Sequence, residues 1–134
     1  MYEAIINTPA GPLWALLVKT AIHAGFPVPI RDLYEKLDGA GAPSWITERV
    51  IGFAHKGDPV TTYDWIRRAI RPANEEDKEE DAKMFFAFGD ALTFQRDRSW
   101  TWALRLARAL KDLKSVEAVA CCLLATVAPE KEEE

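Results

Sequence analysis

Cysteine is scarce in this chain, and its placement excludes a whole class of small proteins. Only Cys121 and Cys122 occur in 134 residues, and neighbouring Cα atoms about 3.8 Å apart sit closer than the roughly 4.4–6.8 Å of an ordinary bridge. Without a disulfide framework the sequence points to a reducing, cytoplasmic setting. Glycine and proline, at 7 and 8 residues, are too few for collagen-like or low-complexity chains. Long apolar runs are missing too. The longest charge-free candidates, Leu13–Val18 with its continuation and Ala118–Ala128, fall short of the ~20 residues that span a bilayer. A membrane partner is therefore not expected. Nor does the N-terminal stretch read as a signal peptide, since no basic segment precedes its apolar residues and Pro9, Gly11 and Pro12 interrupt them.

The groups that carry most enzyme chemistry are equally thin. His23, His55 and the Cys121–Cys122 pair show no zinc-ligand spacing. Neither histidine belongs to a recognisable nucleophile motif. The GAGAP segment at 39–43 lacks the further glycine and the Lys-Ser/Thr of phosphate-cradling loops. Most carboxylates fall in solvated runs rather than in apolar surroundings that raise a pKa. Asp90, between Phe86 and Phe94, is the exception, and its simplest role is a polar edge or a hydrogen-bonded contact. The two cysteines read as small packing residues of the core. No catalytic residue, cofactor or metal ligand is nominated, and the chain is expected not to be an enzyme.

What is present is an ordinary globule. With 49% apolar and 28% charged residues, a chain of this length buries roughly two-thirds of its unfolded surface. One domain is expected over 1–128, followed by a frayed acidic tail at 129–134. The net charge of −4 is uneven: Asn74–Lys83 contributes −4 and Glu130–Glu134 contributes −3, leaving +3 on the rest. A mildly basic body thus carries two acidic appendages.

Helical periodicity recurs along the chain and strand-like alternation does not, which predicts an all-α fold, an irregular bundle of six to seven helices. Leu13–Ala24 is apolar around nearly its whole circumference, with Lys19 and His23 as its polar edge, so it is expected to be buried. Ile30–Leu37 follows, then Ser44–Lys56 with Ser44 as N-cap, Ile46, Val50 and Phe53 on one side and Glu48, Arg49 and Lys56 away from them, until Gly57-Asp58-Pro59 stops it. Thr61 and Asp64 suggest a capping box opening a helix Tyr63–Arg71 that Pro72 stops. Asn74 caps a long helix to about Arg96, and Ser99 caps Trp100–Lys114, whose inner face is Trp102, Leu106, Ala109, Leu110 and Leu113. The short Lys114–Ser115 link makes Val116–Ala128 the second arm of a C-terminal antiparallel helical hairpin. Leu16, Leu17, Phe88, Leu92, Leu106, Leu110 and Leu123 are the expected core.

Two features point beyond the core. Asp64, Arg67, Arg68 and Arg71 fall within about a third of one helix at roughly 100° per residue, and Arg105, Arg108 and Lys111 form a second ridge. These six cations are the candidates for an anionic partner, with Trp65 and Trp100 nearby as stacking faces. The plainer account is a solvated face paired with Asp64 and the acids that follow. The second feature is apolar surplus: Phe86 and Phe94 face away from Met84, Phe88 and Leu92, so this helix is apolar on two sides. Phe86, Asp90, Phe94 and Trp100 are the candidates for a protein-partner interface. The leading expectation is a non-enzymatic helical interaction protein, a small subunit, adaptor or inhibitor that docks onto a larger assembly or onto itself. The alternatives are a nucleic-acid-binding helical module, within a ribonucleoprotein complex, and an enzyme whose residues converge from distant positions such as His23, His55 and Asp90.

Overall fold

The structure, a computed structural model, describes residues 11–70, 77–93, 99–110, 118 and 121. Six helices make it up: α1 (Gly11–Ala24), α2 (Ile30–Gly39), α3 (Ser44–Lys56), α4 (Pro59–Ala69), α5 (Asp77–Thr93) and α6 (Trp100–Leu110). Among the described residues there is no strand, and the all-α expectation holds. Ala118 and Cys121 are helical. The rest of Val116–Ala128, and with it the C-terminal hairpin and Leu123, lies outside the described residues, as do Arg71, Pro72, Asn74, Phe94, Arg96, Lys111, Leu113 and 129–134.

Helix α1 organises the packing because it is apolar around nearly its whole circumference, and such a helix is stable only when enclosed. Trp14, Ala15 and Val18 pack with Leu33 and Leu37 of α2, Ile46 and Val50 of α3 and Ile66 of α4. Leu16, Leu17 and Ala21 pack with Ala87, Phe88, Ala91 and Leu92 of α5 and Ala103, Leu106, Ala107 and Leu110 of α6. Two sets of helices therefore share one central element, and His23 is left exposed at its edge. The close approach of α1 to α4 depends on Gly11: a Cβ at that position would collide with Cγ2 of Ile70, a β-branched side chain with little freedom to move.

The turns differ from expectation in instructive ways. Gly57 adopts φ 78° and closes α3, with its N–H on the Ala54 carbonyl and the Asp58 N–H on that of Phe53. The next helix begins at once, four residues before the expected Tyr63. Asp58 is its N-cap, accepting the Thr61 N–H at 3.1 Å, and Pro59 takes the first helical position, where a missing N–H loses nothing. The hydrogen bonds from Thr61 hold the Asp58 carboxyl below the usual carboxylate range. Asp58-Pro59 is thus a start signal rather than part of a stop. Ser44 is not a cap either: Pro43 occupies that position, and no side chain caps α3. Ser99 does cap α6, accepting the Trp102 N–H at 3.3 Å. The inner face of α6 is Ala103, Leu106, Ala107 and Leu110, whereas Ala109 is exposed, so the face is rotated from the expected one. Cys121, expected in the core, is exposed as well.

One polar atom is out of place in this core. Thr20 of α1 is fully buried and its Oγ1 has no hydrogen-bond partner, a situation that costs about 1–3 kcal/mol. Thr20→Val keeps the branched shape and removes the orphaned hydroxyl. It is expected to raise unfolding free energy by about 1 kcal/mol, read as a higher urea midpoint at unchanged slope; a lower midpoint would show that the hydroxyl stabilises the core.

Candidate functional site

Helix α3 turns Ile46, Thr47 and Val50 inward. Its outward stripe runs Trp45, Glu48, Arg49, Gly52, Phe53 and Lys56, positions spaced as the neighbours of one helical face. These six side chains border a single surface hollow of about 460 Å³. Trp45 is 55% exposed, an uncommon position for so large an apolar ring. At the middle of the stripe lies Gly52. A mid-helix glycine costs about 0.5–1 kcal/mol relative to alanine, and nothing inside the molecule requires it, because a Cβ there would meet no atom within 4 Å. The missing side chain leaves a notch between Trp45 and Lys56.

The neighbouring helix extends this surface. Trp65 of α4 lies edge-on to Trp45, ring centres 5.8 Å apart at 82°. Two guanidinium groups sit over Trp65: Arg68 with Cζ 4.5 Å from its centre, and Arg49 with Cζ 5.4 Å away. Lys56 places Nζ 5.3 Å from the Phe53 ring. Cation–π contacts at exposed sites contribute roughly 0.5–1 kcal/mol each. Their larger consequence is positional, since the charges are held against the rings instead of sampling solvent.

The expected arginine ridge of α4 is divided between two surfaces. Arg68 joins Trp65, whereas Arg67 is half-buried along the other edge, where Nη1 donates to the Tyr63 hydroxyl and Cζ lies 5.3 Å from that ring. There Lys19 of α1 places Nζ 4.7 Å from the centres of both Tyr63 and Phe85. Phe85 also packs on His23 at 5.7 Å and on Phe86 at 5.8 Å. Arg105 and Arg108 are exposed on α6, while Arg71 and Lys111 fall outside the described residues.

Of the four expected interface residues, Phe86 is 70% exposed and Asp90, one turn on, is exposed too. Phe94 lies outside the described residues. Trp100 has a different job: half-buried, it packs against both halves of the core, and its indole N–H donates to the Asp32 carboxylate at 2.6 Å, tying α6 to α2. The histidines have separate surroundings, His23 against Phe85 and His55 beside an apolar hollow of about 310 Å³ with Ile22, Phe26, Ile30 and Ile51. Among the described residues no three His, Cys, Asp or Glu side chains form a metal-binding group, and no helix is long and apolar enough to cross a membrane. Burial lowers the pKa of Lys36, which packs toward Trp14 rather than into the α3 hollow.

The α3 stripe is what sequence reasoning passed over. Glu48, Arg49 and Lys56 look like an ordinary solvated face, with Phe53 expected inward beside Ile46 and Val50; the structure sets Phe53 on the outer stripe with Trp45 and Gly52 instead. Comparison with known protein families, curated proteins and solved structures finds no match. Function is therefore argued from this surface.

Two glycine substitutions should move stability in opposite directions. Gly52→Ala is expected to stabilise by about 0.5–1 kcal/mol, through helix propensity alone. Gly11→Ala should destabilise, because Ile70 must be displaced. Thermal unfolding of the two variants checks this, and equal signs would contradict the packing described.

Proposed function

We propose that this chain is a non-enzymatic helical interaction protein, a small subunit, adaptor or inhibitor, that docks in a reducing, cytoplasmic setting through its α3–α4 face. The observation that carries this reading is Trp45, more than half exposed, edge-on to Trp65 and flanked by Arg49 and Arg68. Leaving such a ring in water forgoes burial worth about 25 cal/mol per Å². Tryptophan and arginine are also the residues that most often anchor binding hot spots. Arginines already held against a ring lose little further freedom when a partner arrives, which favours affinity through pre-organisation.

A second reading has one observation in its favour: alternating rings and cations are what single-stranded nucleic acids bind. Two exposed carboxylates oppose it, Glu48 within the hollow and Asp64 one turn before Arg68. A phosphate backbone is repelled by both, whereas a protein partner brings matching charges of its own. The protein reading is therefore the stronger.

Exchanging Trp45 and Arg49 together for alanine tests it. Both side chains are exposed, so the variant should melt close to wild type. Proteins cross-linked to wild type in living cells should be depleted at least about tenfold with the variant, as expected when hot-spot residues are removed. Unchanged cross-linking would contradict the reading. Loss of the complexes on nuclease treatment would transfer the surface to nucleic acid.

A further inference from the structure

The outer face of α5 carries the counterpart of the α3 notch. Phe86 is the most exposed large hydrophobic residue described, at 70%. Lys83, three positions before it, and Asp90, four positions after it, are exposed on the same side. On α3 the notch at Gly52 has Glu48 four positions before and Lys56 four after, both exposed. At about 1.5 Å rise per residue these offsets match to within one residue's rise. When α5 is laid parallel to α3 with Phe86 over Gly52, Lys83 meets Glu48 and Asp90 meets Lys56. The antiparallel arrangement sets Lys83 on Lys56 and Asp90 on Glu48, like charge on like, so the charges select one direction.

The two faces belong to different parts of one molecule, since α3 packs on α2 and α4 while α5 packs on α1 and α6. A single chain therefore displays both halves of the contact. Taking the docking reading above as its basis, we infer that the partner seated on the α3 hollow is a second copy of this chain: Phe86 of one copy enters the notch over Gly52 of the next, between Trp45 and Lys56, and the Lys83–Glu48 and Asp90–Lys56 pairs fix the register. Two different faces meet, so the contact is head-to-tail and association proceeds copy by copy. Ring on ring supplies the apolar anchor and the charge pairs supply direction. It also gives the mid-helix glycine a use, because any side chain at position 52 would occupy the space that Phe86 needs.

Sedimentation equilibrium over about 1–200 μM, a range that brackets a micromolar dissociation constant, reads the outcome on the full chain. Wild type should self-associate, its mean mass rising with concentration. Lys56→Glu and Asp90→Lys should each weaken the contact at least about tenfold, since each sets like charge on like there. The combined variant K56E/D90K remakes that pair with its signs exchanged and should return to within about threefold of wild type. Phe86→Ser and Gly52→Leu should each abolish self-association with melting temperature preserved, the one removing the knob and the other filling the notch. A wild-type monomer at every concentration overturns the inference, as does a double variant no better than the singles. Neither result touches the docking reading, which stands or falls on the Trp45 and Arg49 variant and its cross-linked proteins.

Discussion

Enclosure of α1 is the constraint from which the remaining structure follows. Trp14, Ala15, Leu16, Leu17, Val18, Thr20 and Ala21 are all buried, and residues contiguous along a helix cover nearly its full circumference. Water must therefore be excluded from all but the Lys19–His23 edge, and no single neighbouring helix can do that. The chain meets the requirement with α2, α3 and α4 against Trp14, Ala15 and Val18, and with α5 and α6 against Leu16, Leu17 and Ala21. Each covering helix needs only one apolar stripe for that purpose. Fully burying one large aliphatic or aromatic side chain contributes roughly 1.5–3 kcal/mol, so α1 concentrates much of the stabilisation in a few turns.

Once α1 is covered, apolar groups on the far sides of the covering helices have no internal task. Trp45 on α3 and Phe86 on α5 are such groups. The protein manages its rings with cations: Arg49 and Arg68 over Trp65, Lys56 beside Phe53, and Lys19 near both Tyr63 and Phe85. Long basic side chains lay their methylenes along apolar surface and keep their charge at the edge. This arrangement presents oriented charges around uncovered rings, the pattern on which the proposed docking rests.

Much of the fold was legible in the sequence because it depends on local periodicity. The continuous apolar character of Leu13–Ala24 announced a buried helix, and Ser99 announced the start of α6. The errors arise where one signal serves two purposes. Gly57-Asp58-Pro59 ends one helix and begins the next, and reading the proline only as a stop shifted the start of α4. Thr61 and Asp64 resemble a capping box, but the Asp58 carboxylate had already taken the Thr61 N–H. For the site, Phe86 was legible as a ring on the wrong side of its helix. The bond from Trp100 to Asp32 spans 68 residues, and no local pattern reveals it. Arg67 and Arg68 lie over different rings of their own helix, Tyr63 and Trp65, a division that the spacing of the arginines alone does not reveal.

If the outer faces of α3 and α5 are what the molecule keeps for association, their resonances must respond to concentration while those of the core do not. Two-dimensional ¹⁵N–¹H spectra of the labelled chain, recorded across a dilution series, test this on every described helix at once. The Trp45 indole and the Gly52 and Phe86 amides should shift progressively as the protein is concentrated, with the buried Trp14 and the Asp32-bound Trp100 indoles holding still. Invariant spectra throughout the series, or shifts centred on α6 instead, would contradict the account.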